Sequence, residues 1–318
     1  MVLDVARSMS FAECAKAYID THKADWKNTK HAAQWTATLE TYCGPVFGAL
    51  PVQAVDTALV CKVLEPMWNE KPETASRLRA RVERVLDWAT VRGFRAGDNP
   101  ARWRGHMDKL LPALKKKNRV KHHAALPFDQ VGAFMADVRK QEGFAARALE
   151  FVILTATRTS EVTGARWDEF DLNAAVWTIP AERMKAGNEH RVPLAPAAIA
   201  LLNAMNAIRL NDWVFQGKRS GSPLSNMAML ELLKRMERAD ITVHGFRSTF
   251  KDWASERTNY PREVTEMALA HTIGDKVEAA YRRGDLFEKR RTLMAEWAKH
   301  CECIAQPGAV LPLRGKRV

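Results

Sequence analysis

Apolar residues recur at helical spacing through the first third of the chain. Stretches near 11–22, 29–43, 55–67 and 74–92 each carry one hydrophobic stripe, and no strand-like alternation interrupts them. In the last stretch Leu78, Val82, Val85 and Ala89 form the stripe, while Arg77, Arg81 and Arg84 fall largely off it. That cationic face has two readings, a solvated surface or a face turned to a polyanion. From about Phe128 the pattern stays mainly helical, with an amphipathic stretch to Arg139 and a more apolar one from Phe144 to Thr157. After Trp167 it changes: AVWTIP and HRVPLA are short β-rich runs, and Gly187 and Asn188 between them favour a turn, so a hairpin or small sheet is expected. Helices resume at Pro196, and a final one near 286–301 places Leu286, Leu293, Trp297 and Cys301 on one face.

Between these blocks LLPALKKKNRVKHHAALP carries Lys115, Lys116, Lys117, Arg119 and Lys121 with no acid among them, and a proline restarts the pattern at Pro127. It reads as a linker, either a plain tether or a segment that tracks a phosphate backbone by displacing counterions. The expected division is a helical domain at 1–107, a basic linker at 108–126, a mixed but mostly helical domain at 127–304 and a tail at 305–318. A length of 318 residues agrees with two domains.

Composition narrows the class. The longest apolar runs, such as Phe151 to Ala156, are too short to cross a bilayer, and no apolar stretch follows Met1, so a cytoplasmic protein is expected. Five scattered cysteines read as reduced thiols, and Cys301-x-Cys303 beside His300 is a poor zinc spacing, so no metal is expected. With 49 basic against 37 acidic residues, a net charge of +12 and a pI near 9.6, the chain suits a polyanionic partner, nucleic acid first.

Four patterns in the second block carry candidate chemistry: TATRTSEVTGARW with Arg158, ERMKAG with Lys185, HGFR with His244 and Arg247, and ALAHTIGDKVEAAYRRGD with His271 and Tyr281. Phosphodiester cleavage must neutralise charge growing on the non-bridging oxygens. Two permanently charged, planar guanidiniums, Arg158 and Arg247, suit that role. His244 and Arg247, three apart, project from one helix face. A tyrosine hydroxyl, with an ordinary pKa of about 10, needs a cationic setting or a base to attack near neutrality. Tyr281 lies beside Arg282 and Arg283. A lysine on a turn can protonate the leaving oxygen. Lys185 occupies such a turn, although Arg183 and Lys218 lie in loops that could serve as well.

In the order Arg, Lys, His-x-x-Arg, His, Tyr, this constellation resembles the catalytic domain of tyrosine recombinases, and more closely the integrases of temperate phages, satellite phages and genomic islands. PVFGALPVQAVDTALVCKVLEPMW resembles their core-binding domain and DLFEKRRTLMAEWA their closing helix. The resemblance implies a mainly α protein, a helical core-binding domain plus a mostly helical catalytic domain with a small sheet, closed as a C-shaped clamp on DNA. It also implies that Arg158 and Arg247 bind the scissile phosphate, Lys185 is the general acid, His244 assists proton transfer, His271 hydrogen-bonds the phosphate and Tyr281 is the nucleophile. The expected product is a 3′-phosphotyrosyl link that needs neither metal nor ATP. Expected partners are double-stranded attachment-site DNA, three further copies in a tetramer assembled on DNA from monomers, a directionality factor and a DNA-bending host protein.

Two rival functions remain at this stage: DNA relaxation in the manner of a type IB topoisomerase, and a non-catalytic regulator that keeps the fold. One departure stands out, because integrases of this type carry an arm-binding domain ahead of the core-binding pattern, which here begins almost at once. A shortened chain, a misassigned start and a simpler recombinase acting on core sites alone all accommodate it.

Overall fold

The computed structural model describes residues 9–26, 29–113, 124–271 and 284–304. They form two compact units dividing near residue 121, each with its own hydrophobic core.

The first unit is helical: α1 (Phe11–His22), α2 (Thr29–Tyr42), α3 (Thr57–Trp68) and α4 (Pro72–Val91). Ser10 starts α1 with a capping box, its hydroxyl accepting the Glu13 N–H at 3.2 Å while the Glu13 carboxylate accepts the Ser10 N–H at 2.8 Å. Asp56 caps α3 by accepting the Leu59 N–H at 2.8 Å. On α4 the stripe Leu78, Val82, Val85 and Ala89 is fully buried, as its spacing predicts.

The arginines off that stripe have different fates. Arg77 is exposed and paired with Glu73 at 2.8 Å. Arg81 crosses to α2, donating to the Gln34 carbonyl at 3.0 Å and the Thr38 hydroxyl at 2.6 Å, and lies with Arg84 over the Trp35 ring. Its long stem and fork join two helices, an arrangement that helical periodicity alone does not encode.

The second unit contains α5 (Val131–Arg139), α6 (Phe144–Thr155), α7 (Thr159–Thr163), β1 (Phe170–Asp171), β2 (Val176–Ile179), β3 (His190–Pro193), α8 (Pro196–Ala207), α9 (Ala228–Arg235), α10 (Gly245–Arg257), α11 (Arg262–Ala268) and α12 (Phe287–Glu302). The three strands form one antiparallel sheet in chain order, with Trp177 opposite Val192 and Thr178 opposite Arg191. From Leu149 to Thr155 every residue of α6 is buried, so this stretch packs on all sides, and its one charge, Glu150, is paired with Arg139 and Arg147. Trp297 of α12 is fully buried, donates its indole N–H to the Ile153 carbonyl of α6 at 2.7 Å, and packs against Phe250 and Trp253 of α10. The helix α6, which leads to Arg158, and α10, which carries Arg247 in its first turn, thus share one aromatic core.

The segment read as linker is structured at both ends. Leu111 is buried in the first core and Leu126 in the second. The Ala124 carbonyl accepts the Thr242 N–H at 3.0 Å, the Leu126 carbonyl accepts the Thr249 hydroxyl at 2.6 Å, and a Cβ on Gly245 would come within 2.2 Å of the Ala124 oxygen. The chain entering the second unit is therefore stitched to the start of α10, and only glycine allows that approach. Lys115, Lys116, Lys117, Arg119 and Lys121 lie outside the described residues, as does the tail from residue 305.

Candidate active site

Arg158, Lys185, Arg247 and His271 come together in the second unit. Arg247, in the first turn of α10, is 5% exposed, and its guanidinium donates to the Ala156 carbonyl at 2.6 Å and the Leu269 carbonyl at 2.5 Å. Arg158, just before α7, donates to the Glu161 carboxylate at 2.7 Å and the Ala270 carbonyl at 3.0 Å. Glu161, itself 2% exposed, also accepts the Arg158 backbone N–H at 2.8 Å. Both forks are therefore fixed before any ligand arrives. Burial first, and then the neighbouring Arg158 charge, push Arg247 down to about 10, which leaves it cationic at neutral pH.

The two carbonyls belong to alanines in the left-handed region, Ala156 at φ +52° and Ala270 at φ +47°. Such a conformation costs a non-glycine residue about 1–2 kcal/mol. Here it ends α6 and α11 sharply and turns each final carbonyl onto one of the arginines. At the end of α11 the His271 N–H returns to the Glu266 carbonyl at 2.9 Å, the wrapped helix ending that a left-handed residue permits.

That return places the His271 ring over its own helix. Nδ1 meets the Glu266 carboxylate at 2.5 Å and Nε2 meets the Arg247 guanidinium at 3.2 Å. A carboxylate at Nδ1 holds the proton there and leaves Nε2 facing Arg247. Burial opposes charge on Glu266, but Lys251 at 2.8 Å and His271 outweigh it and draw the carboxyl down to about 2. For His271 burial dominates and lowers its pKa, with Glu266 acting in the opposite sense.

A cleft of about 480 Å³ is lined by Arg158, Lys185, Ala186, Glu266, Ala270 and His271. Lys185 is exposed on the turn between β2 and β3. Its rivals are placed differently. Arg183 is bound by the Glu169 carboxylate and the Glu161 carbonyl, and Lys218 lines a separate groove with Glu142 and Glu231. His244 is exposed at the start of α10, one turn before Arg247. Tyr281 lies outside the described residues, as do Arg282 and Arg283. Glu266 and Lys251 were not singled out from the sequence; Glu161, three residues after Arg158, is the acid whose spacing allows the ion pair seen here.

Family models match almost the entire described chain: the phage integrase central domain over residues 11–106 and the phage integrase family over residues 124–285. The chain belongs to the phage integrase family. Among curated relatives, this phage integrase family member is 29% identical over 297 residues to prophage integrase IntZ of Escherichia coli K12, covering 92% of this chain and 71% of that one. It is 28% identical to the integrase of Shigella phage Sf6, covering 91% and 74%, and 30% identical to prophage integrase IntA of Escherichia coli K12, covering 82% and 62%. The chain thus spans between 62% and 74% of the length of these three relatives. Its fold is that of lambda integrase, solved as a tetramer bound to a Holliday junction, with a TM-score of 0.66 at 14% identity over 85% of this chain and 80% of that one. The Tn1549 transposon integrase in complex with circular intermediate DNA follows with a TM-score of 0.59 at 13% identity, covering 87% of this chain and all of that one.

A second cleft adjoins the first, sharing Ala186, Ala270 and His271, and is also lined by His190, Asp285 and Arg290. Burial, and then the Arg290 charge, push His190 down to about 4, so it is neutral at pH 7. The unfolded chain, with a histidine pKa of about 6.5, takes up this proton first as pH falls. Stability from this residue is therefore full above about pH 6.5, lost progressively towards pH 4 and flat below. Denaturant unfolding at pH 7 and pH 4.5 should show wild type losing roughly 2 kcal/mol more than His190→Gln across that interval. Equal losses would contradict the half-buried, neutral His190.

Proposed function

We propose that this phage integrase family member is a site-specific DNA recombinase that cuts and rejoins strands through a 3′-phosphotyrosyl link at Tyr281, integrating and excising a mobile element. The observation that carries the reading is the convergence of Arg158, Arg247 and His271, mutually supported, with Lys185 on the rim of one cleft.

In this reading the scissile phosphate sits between the two arginines. Their forks hold the non-bridging oxygens, and His271, oriented at Nδ1 by Glu266, donates a hydrogen bond to the phosphate through Nε2 when that nitrogen carries a proton. The Tyr281 oxygen attacks phosphorus, its proton passing through His244; the phosphorus–O5′ bond breaks as Lys185 Nζ gives O5′ a proton. The reverse attack by a different 5′ hydroxyl rejoins the strand, and the covalent link conserves the bond energy, so no metal, ATP or other cofactor takes part.

The two units would close as a clamp on duplex attachment-site DNA, with the basic segment containing Lys115, Lys116, Lys117, Arg119 and Lys121 tracking phosphates and Arg77 and Arg84 adding contacts from α4. Because Arg81 is engaged with α2, its part in DNA contact would be indirect, through the shape of the α2–α4 face. The working assembly would be a tetramer formed on DNA by chains that are monomeric in solution, in the cytoplasm of a prokaryotic cell, with a directionality factor and a DNA-bending host protein as further partners. A strand-exchange assay with the element's two attachment sites tests this: recombinant products are expected. Relaxation of supercoils without recombinants would instead mark a topoisomerase, and binding without either product a regulator.

A further inference from the structure

Arg290 interrupts the apolar stripe of α12. Leu293, Trp297 and Cys301 on that face are fully buried, and so is Arg290, at 1% exposure. Burial lowers the pKa of its guanidinium, with Asp285 opposing. Taking a guanidinium out of water costs several kcal/mol, and an apolar residue of similar length would fill the same space at no such cost. What the arginine supplies is geometry. Its Nε donates to the Asp285 carbonyl at 2.7 Å, one Nη to the Asp285 carboxylate at 2.8 Å, and the other Nη to the Arg191 carbonyl on β3 at 2.6 Å.

The joint is reinforced. Arg191 pairs with the same Asp285 carboxylate at 3.5 Å and lies 4.1 Å over the Phe287 ring. Leu286, between Asp285 and Phe287, is left-handed at φ +52°, which folds the chain back so that α12 can reach its own leading residue. One buried cation thus ties the sheet hairpin to the start of α12. The hairpin carries Lys185, six residues before Arg191, and α12 begins six residues after Tyr281.

We propose that Arg290 is a positioning residue for leaving-group protonation: by anchoring β3 at Arg191 it holds the hairpin so that Lys185 reaches the 5′ oxygen. This rests on the general-acid role given to Lys185 above. A flexible, exposed lysine delivers a proton well only when its base is fixed, and β3 is the strand through which that turn is held to α12.

The test compares wild type, Arg290→Met, Arg290→Lys and Lys185→Ala on two nicked substrates of one sequence, one with the natural 5′ oxygen at the scissile phosphate and one with sulfur there. A thiolate, whose acid has a pKa of about 8.5, departs without a proton. Arg290→Met should slow covalent adduct formation about 30-fold with oxygen and less than about threefold with sulfur, the signature of Lys185→Ala, because general acid catalysis contributes about 10²–10⁴-fold. DNA affinity should stay within about threefold, since Arg290 is buried. Arg290→Lys, which keeps the charge without the fork, gives an intermediate defect and serves where the Met variant is too unstable to assay. Equal slowing on both substrates, or none, would overturn the proposal. Amide exchange over residues 184–189 reads the anchor without catalysis: exchange about tenfold faster in Arg290→Met supports it and unchanged exchange overturns it. If wild type forms no adduct while the exchange difference is present, the general-acid reading fails and the anchor stands.

Discussion

Replacing Arg247 with alanine is expected to slow covalent cleavage by about 10³-fold or more while leaving DNA affinity within a few-fold of wild type. The asymmetry follows from where the side chain sits. Arg247 is 5% exposed, held by the Ala156 and Leu269 carbonyls and in contact with the His271 ring. It therefore adds little to the surface that meets DNA, yet it presents a fixed positive charge where the transition state gathers negative charge. Its removal also leaves two carbonyls without their donor. At about 1–3 kcal/mol for each unsatisfied buried group, the variant should unfold several degrees below wild type. Arg247→Lys separates the two effects, because it keeps a charge but cannot span both carbonyls and a phosphate; it should remain at least about tenfold slower than wild type. Single-turnover cleavage at saturating protein, with thermal unfolding of each variant, checks both. Cleavage by Arg247→Ala within tenfold of wild type would remove Arg247 from the phosphate site.

Much of this architecture was legible in the sequence because helices that pack on a core announce their buried face. Leu78, Val82, Val85 and Ala89 recur at helical spacing and all four are buried. The hairpin was legible too, since AVWTIP and HRVPLA bracket a turn marked by Gly187 and Asn188, and they became β2 and β3. The first strand escaped because Phe170–Asp171 is two residues long, too short to show alternation, and exists only through its pairing with β2.

The candidate site divides along a similar line. Residue types that chemistry demands were visible one by one, and their order supplied the resemblance. Of their supports, Glu161 is close enough in sequence to Arg158 to be legible, whereas Glu266 and Lys251 depend on contacts formed only in the fold. Glu266 reaches His271 through a left-handed Ala270, and nothing local predicts that an alanine will adopt it. Lys185 was preferred to Arg183, two residues before it, but what sets Arg183 aside is visible only in the fold, where it is bound by Glu169. Arg81 and Arg290 show the converse limit of patterning. A charged residue beside or inside an apolar stripe reads as solvent-facing, but a long guanidinium can cross to another helix or be buried whole once several acceptors converge on it.

The central claim is that Tyr281 is the nucleophile that the arginine pair serves. Removing one hydroxyl, as in Tyr281→Phe, takes away the only atom that can form the covalent bond while preserving ring, volume and the basic surroundings. The loss should therefore be complete for chemistry and negligible for binding, in line with the roughly 10⁶-fold losses seen when a nucleophile is deleted elsewhere. The control is internal, since Tyr18, Tyr42 and Tyr260 are the remaining tyrosines. Tyr18 and Tyr42 belong to the first unit, and Tyr260 donates its hydroxyl proton to Glu296 at 2.9 Å; burial first, and then that bond, push its pKa up to about 12. The decisive measurement is denaturant-resistant trapping on nicked DNA from the element's ends, wild type against Tyr281→Phe. The account predicts a covalent adduct for wild type and none for Tyr281→Phe at equal DNA occupancy; an adduct of undiminished yield in Tyr281→Phe would contradict it.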